Sequence, residues 1–526
     1  MTMVDSSRWP SMLSTWLESA AGPPSESEIE GLVAEILDHG WAAPEAAYRV
    51  GLRVLRRDQA FGRALAAATR HDVAAVDGAV AVAAFAAALA RPLARAILRS
   101  CLVTSPEVEL VLTRWRRRLL LDRSAEAPLD AIVSLALQCW LNEFVFAETK
   151  DETVALGQLS HSADAAAMAV LACYRPLTAP AHAKPEALDP APDLAPLLDA
   201  HVREPAQEAA FQSSLTKLSP VTDPTSRAVR DQYEANPYPR WVACQRDKPR
   251  RFAEFLSAMA QAYGVVAAAA TSKPEILIAG CGTGMQAIQC AGQFDSARVT
   301  GVDLSRPSLA YAARKAHDAR LKNLEFVAGD MLALAGHSDW RDRFHYVECL
   351  GVLHHLAHPG QGLAALAACI KPGGLVYLGL YSATARRAVT AGRNVIAHEK
   401  LLPNPTGIRA FRKHVTDTLR QTGPKAERLL PLTQFIDFYS MSMCRDLVFN
   451  IQEHQFTPAS VVALVAAVGL EFLGFGITDD ALAGSYVHAN PSDTMIRDPA
   501  GVAAFERKNP TAFASMYLCL ARKPIG

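Results

Sequence analysis

The residues best placed to do chemistry fall in three groups, each at the end of a short apolar run. Ile276-Leu-Ile-Ala leads directly into Gly280-Cys-Gly-Thr-Gly284. Val299-Thr-Gly-Val closes on Asp303, and Leu324-Glu-Phe-Val runs through Ala-Gly to Asp330. A glycine turn between a strand and a helix lets backbone approach a ligand closely and aims amide N–H groups outward. A dinucleotide site spaced G-x-G-x-x-G would need its third glycine at position 285, which is Met285; the spacing here is G-x-G-x-G. An acid ending the second strand can accept hydrogen bonds from ribose hydroxyls. One ending the third can accept from an exocyclic amine. Together these strand ends describe an adenosine pocket with no requirement for phosphate.

The elements that must position these groups alternate. Strands are expected at 276–279, 299–303, 324–327, 344–350 and 375–380, the last after Lys371-Pro-Gly-Gly374. Helices are expected at 285–292, 307–320 and 361–370. Such alternation predicts an α/β fold with right-handed crossovers and a doubly wound parallel sheet. Ligands then sit outside the C-terminal strand ends. After Tyr381 the alternation stops, and residues 383–456 read as a helical insert between strands five and six. Its place beside the ligand end suits a substrate lid, with Arg393, Arg409, Arg412 and Arg445 expected to contact the acceptor. The pattern resumes with a helix at 457–468 and strands at 471–477 and near 516–521.

Upstream, residues 1–174 read as an N-terminal all-α domain, with apolar residues at helical spacing such as Ile29, Leu32, Val33, Ile36 and Leu37. Pro176, Pro180, Pro185, Pro190, Pro192 and Pro196 mark residues 175–200 as a stiff Pro/Ala-rich linker. Residues 201–272 form a helical lead-in carrying an aromatic, proline-fixed segment from Tyr233 to Trp241. The stretch from Leu110 to Arg123 holds five arginines; a solvated helix face is a plainer account than a basic patch.

Composition narrows the function classes. Half of the 526 residues are apolar and 20% charged, which excludes a disordered chain. Lys+Arg and Asp+Glu are equal at 53 each, which argues against nucleic acid or an anionic membrane as the partner. The ten cysteines include no C-x-x-C pair, and no signal peptide is evident, so a reducing cytoplasm is expected. The longest wholly apolar run, 79–90, falls short of the roughly 20 residues of a membrane helix. No H-E-x-x-H or comparable spacing implies a metal.

On the three strand ends and Lys-Pro-Gly-Gly, residues 273–382 and 457–526 resemble the class I S-adenosylmethionine-dependent methyltransferases, which implies a seven-stranded Rossmann-like sheet. The resemblance places Gly280, Cys281, Gly282 and Gly284 around the cofactor's methionine portion. It places Asp303 and Leu304 at the ribose, and Asp330 and Met331 at the adenine. Cys349-Leu-Gly-Val-Leu-His-His355 matches the segment after strand four that lines the methyl-transfer cleft, bringing in Cys349 and Gly351. One departure stands out: the family's acid two residues before the first glycine is here Ile278. A narrower resemblance, carried by Gln232 to Trp241, Leu378 to Ser382 and Cys444 to Thr457, is to bacterial methyltransferases fused to helical or tetratricopeptide-like regions. It implies a protein or peptide acceptor.

Each candidate has a plainer reading beside the sharp one. Asn236-Pro-Tyr-Pro239 precedes strand one, so it is not the Asn-Pro-Pro-Tyr motif that follows strand four in amino-methylating enzymes. Tyr233, Tyr238 and Trp241 either fold over the cofactor as a lid or anchor the linker. His354 and His355 are candidate general bases or shape the strand-four loop. Glu453 and His454 are a second acid/base pair or, with Arg445 and Asp446, a helix-end ion cluster. Cys281 reads as a small packing residue. The leading expectation is in-line methyl transfer to a protein or peptide side chain. The alternatives are a small-molecule methyltransferase and an inactive binding module, the last opposed by the intact strand ends. The N-terminal domain is expected to recruit substrate or form a homodimer.

Overall fold

Eight strands pair into one sheet: β1 (Thr216–Lys217), β2 (Glu275–Ala279), β3 (Arg298–Asp303), β4 (Leu324–Ala328), β5 (Phe344–Leu350), β6 (Ile370–Leu380), β7 (Glu471–Gly476) and β8 (Tyr517–Arg522). The computed structural model describes residues 44–122, 126–159, 164–178, 192–218, 220–235, 237–244, 249–265, 273–513 and 516–525, with Gly31, Val33 and Leu37. Ile29, Leu32, Ile36, Arg123, the linker prolines Pro180, Pro185 and Pro190, and Asn236 lie outside the described residues.

The strand order is β1-β4-β3-β2-β5-β6-β8-β7, parallel except that β8 runs antiparallel to both neighbours. The count is eight rather than the expected seven. The addition is β1, where Thr216 and Lys217 pair with Val327 and Ala328 inside a stretch expected to be helical. Two residues are too short for any periodicity to announce. β6 starts at Ile370 rather than Leu375: Phe344 pairs with Ile370 and Tyr346 with Leu375, so the Lys371-Pro-Gly-Gly374 residues form a bulge within the strand. From β2 the chain winds outward through β3 and β4 on one side, then through β5 and β6 on the other. The crevice between the ends of β2 and β5 is therefore the topological switch point, where ligands bind in such sheets.

β2 is buried on both faces, with Ile276, Leu277, Ile278 and Ala279 at most 1% exposed, as a central parallel strand must be. On one face Leu277, Val347, Cys349, Val376 and Leu378 join a core with Leu363 and Leu366 of helix Pro359–Cys369. On the other, Tyr346 meets Phe252 and Phe255 of helix Phe252–Ala262. Among the described residues no helix is long and apolar enough to cross a membrane.

The chain divides into two compact units. The second holds the sheet and comprises Glu208–Pro239, Asp247–Thr390 and Asn450–Gly526. The first comprises Met1–Gln207, Arg240–Arg246 and Ala391–Phe449, and its described residues form helices and no strand. Most of the expected insert is thus part of the first unit, and two of its arginines are used there. Arg412, buried, donates to both carboxylate oxygens of Glu109 at 3.0 and 2.6 Å and to the Phe438 carbonyl at 2.7 Å. Arg409 donates to the Phe144 carbonyl at 2.6 Å. The arginines of helix Pro106–Leu121 are likewise paired: Arg114 with Asp77, Arg117 with Asp151 and Arg118 with Asp122. Removing one partner of a buried ion pair strands the other charge, at a cost of about 3–5 kcal/mol. Arg412→Ala should therefore lower the thermal midpoint sharply. A variant with the wild-type midpoint and a weakened methyl acceptor would instead return Arg412 to the acceptor-contact role.

Candidate active site

The turn after β2 is pinned to its neighbour before any ligand is considered. Gly280 N and Cys281 N both donate to the Val302 carbonyl, at 2.7 and 3.0 Å. Gly282 N donates to Asp303 Oδ2 at 2.8 Å, and Ser305 N to Oδ1 at 2.8 Å. One lone pair of each oxygen is thereby fixed, and the others are left for a pair of hydroxyls. Burial pushes the Asp303 carboxyl above the usual range, while the amides of Ser305, Gly282 and Leu304 pull it back. Gly282 has φ +51°, and a Cβ there would lie 2.8 Å from the Tyr238 carbonyl oxygen. Gly284, at φ +82°, is the left-handed N-cap of helix Met285–Gln293. Asp330 is 4% exposed and caps the turn Met331–Gly336 by accepting from Leu332 N at 3.0 Å. That bond occupies one carboxylate oxygen and leaves the other for an exocyclic amine.

The remaining expected cofactor residues divide by role. Burial first, and Asp303 second, push the Cys281 thiol well above its ordinary value; Cys349, fully buried, is pushed up to about 12. Neither is a nucleophile at neutral pH. Met331 joins the sheet core, and Gly351 turns the chain at φ +78°. Tyr233 and Tyr238 stand 5.9 Å apart beside the glycine turn. Ser305 Oγ donates to the Tyr233 carbonyl at 3.1 Å, and Thr283 Oγ1 to that of Pro239. Asn450 Nδ2 donates to the Tyr233 hydroxyl at 3.4 Å. Trp241 is buried in the first unit, where its neighbour Arg240 lies 4.4 Å over the Trp140 ring. Two of the three expected lid aromatics therefore share a unit with the glycine turn.

The four acid/base candidates come together in the second unit. An isolated parallel bridge between Ser382 and Phe456 brings residues 450–456 alongside the end of β6. His454 N donates to the His354 carbonyl at 2.8 Å. His355 Nδ1 donates to the Gln452 carbonyl at 2.7 Å, and Gln452 Nε2 stands 3.0 Å from His454 Nε2. The His354 ring stacks on Tyr381 with centroids 3.6 Å apart, and the Arg386 guanidinium lies 3.9 Å over the same ring. Arg386 is ion-paired with Glu453, and both side chains are buried. Burial above all, with His355, Arg386 and His454 nearby, holds His354 well below the ordinary histidine range, so it is neutral. Neither ring nitrogen of His354, nor Nε2 of His355, has a hydrogen-bond partner among the described residues. Sequence reasoning missed Arg386, whose partner lies 67 residues away, and named Tyr381 only as part of a motif.

Residues 276–374 match the family described as "Methyltransferase domain". An uncharacterized protein of Synechococcus is 29% identical over 186 residues, covering 35% of this chain and 44% of that protein. A ubiquinone biosynthesis O-methyltransferase of Albidiferax ferrireducens is 32% identical over 117 residues, covering 22% of this chain and 45% of the relative. The chain thus spans less than half the length of both relatives. PKMT2 from Rickettsia typhi aligns over 52% of this chain and 53% of its own, at 17% identity and a TM-score of 0.40. The glycine cradle, with no room for a Cβ at Gly282, and the two strand-end carboxylates fit S-adenosylmethionine. Residues 276–374 are an S-adenosylmethionine-dependent methyltransferase domain.

Proposed function

We propose that the whole chain acts as a methyltransferase, moving the methyl group of S-adenosylmethionine onto a hydroxyl of a small-molecule acceptor. The reading is carried by one observation: the glycine turn, Asp303 and Asp330 stand at the ends of three adjacent strands, β2, β3 and β4. In the transfer the acceptor oxygen bonds to the methyl carbon as the carbon–sulfur bond breaks, leaving a thioether and a methyl ether. The sulfonium is already activated, so the protein's contribution is alignment and the exclusion of water. The hydroxyl proton needs a base. His355 suits that role, because its Nδ1–H is held by the Gln452 carbonyl and its Nε2 keeps a lone pair. His354, neutral and stacked on Tyr381, would orient the acceptor.

A small acceptor is favoured over the protein side chain expected from the sequence by two facts. The polar groups of the cluster are deeply buried: His354 is fully enclosed, His355 is 5% exposed and Arg386 2%. The Albidiferax ferrireducens relative is named for O-methylation. Incubating cell extract with the protein and methyl-labelled cofactor should place label in small metabolites. Label in macromolecules would restore the protein acceptor, and no label at all would make the domain a binding module.

Two variants test the assignments. Asp303→Ala should weaken cofactor binding in calorimetry by at least about 1.5 kcal/mol, the scale of a hydrogen bond to a charged group. His355→Gln should lower kcat by about 100-fold, the low end of general-base contributions, and leave cofactor affinity intact. His354 supplies a pH test. Its folded pKa lies below the unfolded value of about 6.5, so the unfolded chain binds a proton that the folded one refuses and stability is lost as pH falls through that value. The thermal midpoint should drop between pH 7.5 and 5, and His354→Asn should flatten part of that drop.

A further inference from the structure

Glu348 is a carboxyl that nothing described so far uses. It lies on β5, and its register partner on β2 is Ile278, the position that departs from the family's acid. Residues paired in this way project from the same face of a parallel sheet, and residues two apart along a strand share a face. Glu348, Ile278 and Gly280 therefore belong to one face, at the switch point between β2 and β5. Along that face Glu348 is also level with Tyr377 on β6.

Among the described residues the surroundings of Glu348 offer it no cation. Cys290 of helix Met285–Gln293, Tyr377 of β6, and Tyr346 and Cys349 of its own strand are the titratable groups close enough to feel its charge, and burial keeps all four neutral. Helix Phe252–Ala262 adds the rings of Phe252 and Phe255, packed on Tyr346, while its Glu254 is exposed. Glu348 is half-buried, and desolvation alone pushes its carboxyl up to about 7, with no hydrogen bond or ion pair to it among the described residues. A carboxyl in that setting is incomplete until a positive group arrives.

We propose that Glu348 is the counter-charge for the ammonium of the bound cofactor, doing from β5 what no residue at position 278 of β2 can do here. Position 278 is about 7 Å below Gly280 along the strand, at roughly 3.3 Å per residue. A glutamate side chain leaning toward the strand ends, together with a hydrogen bond, spans that distance. Binding would shed the proton that Glu348 holds when the site lacks a cation, so affinity for any ligand with the ammonium rises with pH through 7.

The inference rests on the cofactor reading, and calorimetry separates the two. S-adenosylhomocysteine carries the ammonium; methylthioadenosine has the same nucleoside without it. Wild-type protein should bind S-adenosylhomocysteine about eightfold tighter at pH 7.5 than at pH 6, the change in ionised fraction of a group titrating near 7. Glu348→Gln should remove that dependence and bind about tenfold more weakly at pH 7.5, with Glu348→Asp in between. Methylthioadenosine should bind both proteins alike at both pH values. A Gln variant that keeps the wild-type affinity or pH slope overturns the inference, as does one that loses methylthioadenosine in equal measure, which would make Glu348 structural. Wild-type protein that binds neither nucleoside fails the cofactor reading itself, and the inference with it.

Discussion

The hydrogen bond from Gly282 N to Asp303 Oδ2 holds the ligand end of the sheet together. It joins the turn after β2 to the end of β3, and with the paired bonds to the Val302 carbonyl it fixes the turn in a left-handed conformation that only glycine adopts cheaply. Everything above the sheet follows from this arrangement. The Tyr238 carbonyl can settle against Gly282 because no side chain intervenes. Ser305, held by the other oxygen of Asp303, is free to cap its own helix and to hold the Tyr233 carbonyl. One carboxylate thus orders two loops while keeping lone pairs for a ligand.

A second constraint runs through the far side of the switch point. Tyr381 follows β6 and supports both His354 and Arg386, and Arg386 in turn fixes Glu453. The loop after β5 and the segment around Glu453 are thereby locked to one aromatic ring. Burying an arginine and a glutamate together is tolerable because each supplies the other's charge. The same burial keeps His354 uncharged, so the cluster adds little positive potential beside a cofactor that is itself a sulfonium.

Much of this was legible in the residues. Apolar runs ending in Gly280, Asp303 and Asp330 have the length and edges of parallel strands, and each of these residues lies at the C-terminal end of one. Signals of this kind are local: a strand, its turn and the next helix start lie within a dozen residues. What stayed hidden was non-local. β1 has two residues and no pattern, and only its pairing with β4 makes it a strand. Arg412 and Glu109 lie 303 residues apart, so an insert beside the ligand end could not be told from a piece of another unit. Glu348 was unremarkable until Ile278 proved to be its neighbour across the switch point.

The division of the first unit among three separate stretches has a consequence for how the chain matures. Glu109 leaves the ribosome long before Arg412, and helix Met441–Phe449, whose first amide donates to the Asn142 carbonyl, is made later still. Domains generally fold as units during synthesis, N-terminal ones first. Here the N-terminal helices must wait, with Glu109 still lacking its guanidinium, while β1 to β6 are translated. Topology thus keeps the helical unit, the first to be begun, incomplete until Phe449 is made, and a nascent chain halted within residues 250–390 would carry it unfinished.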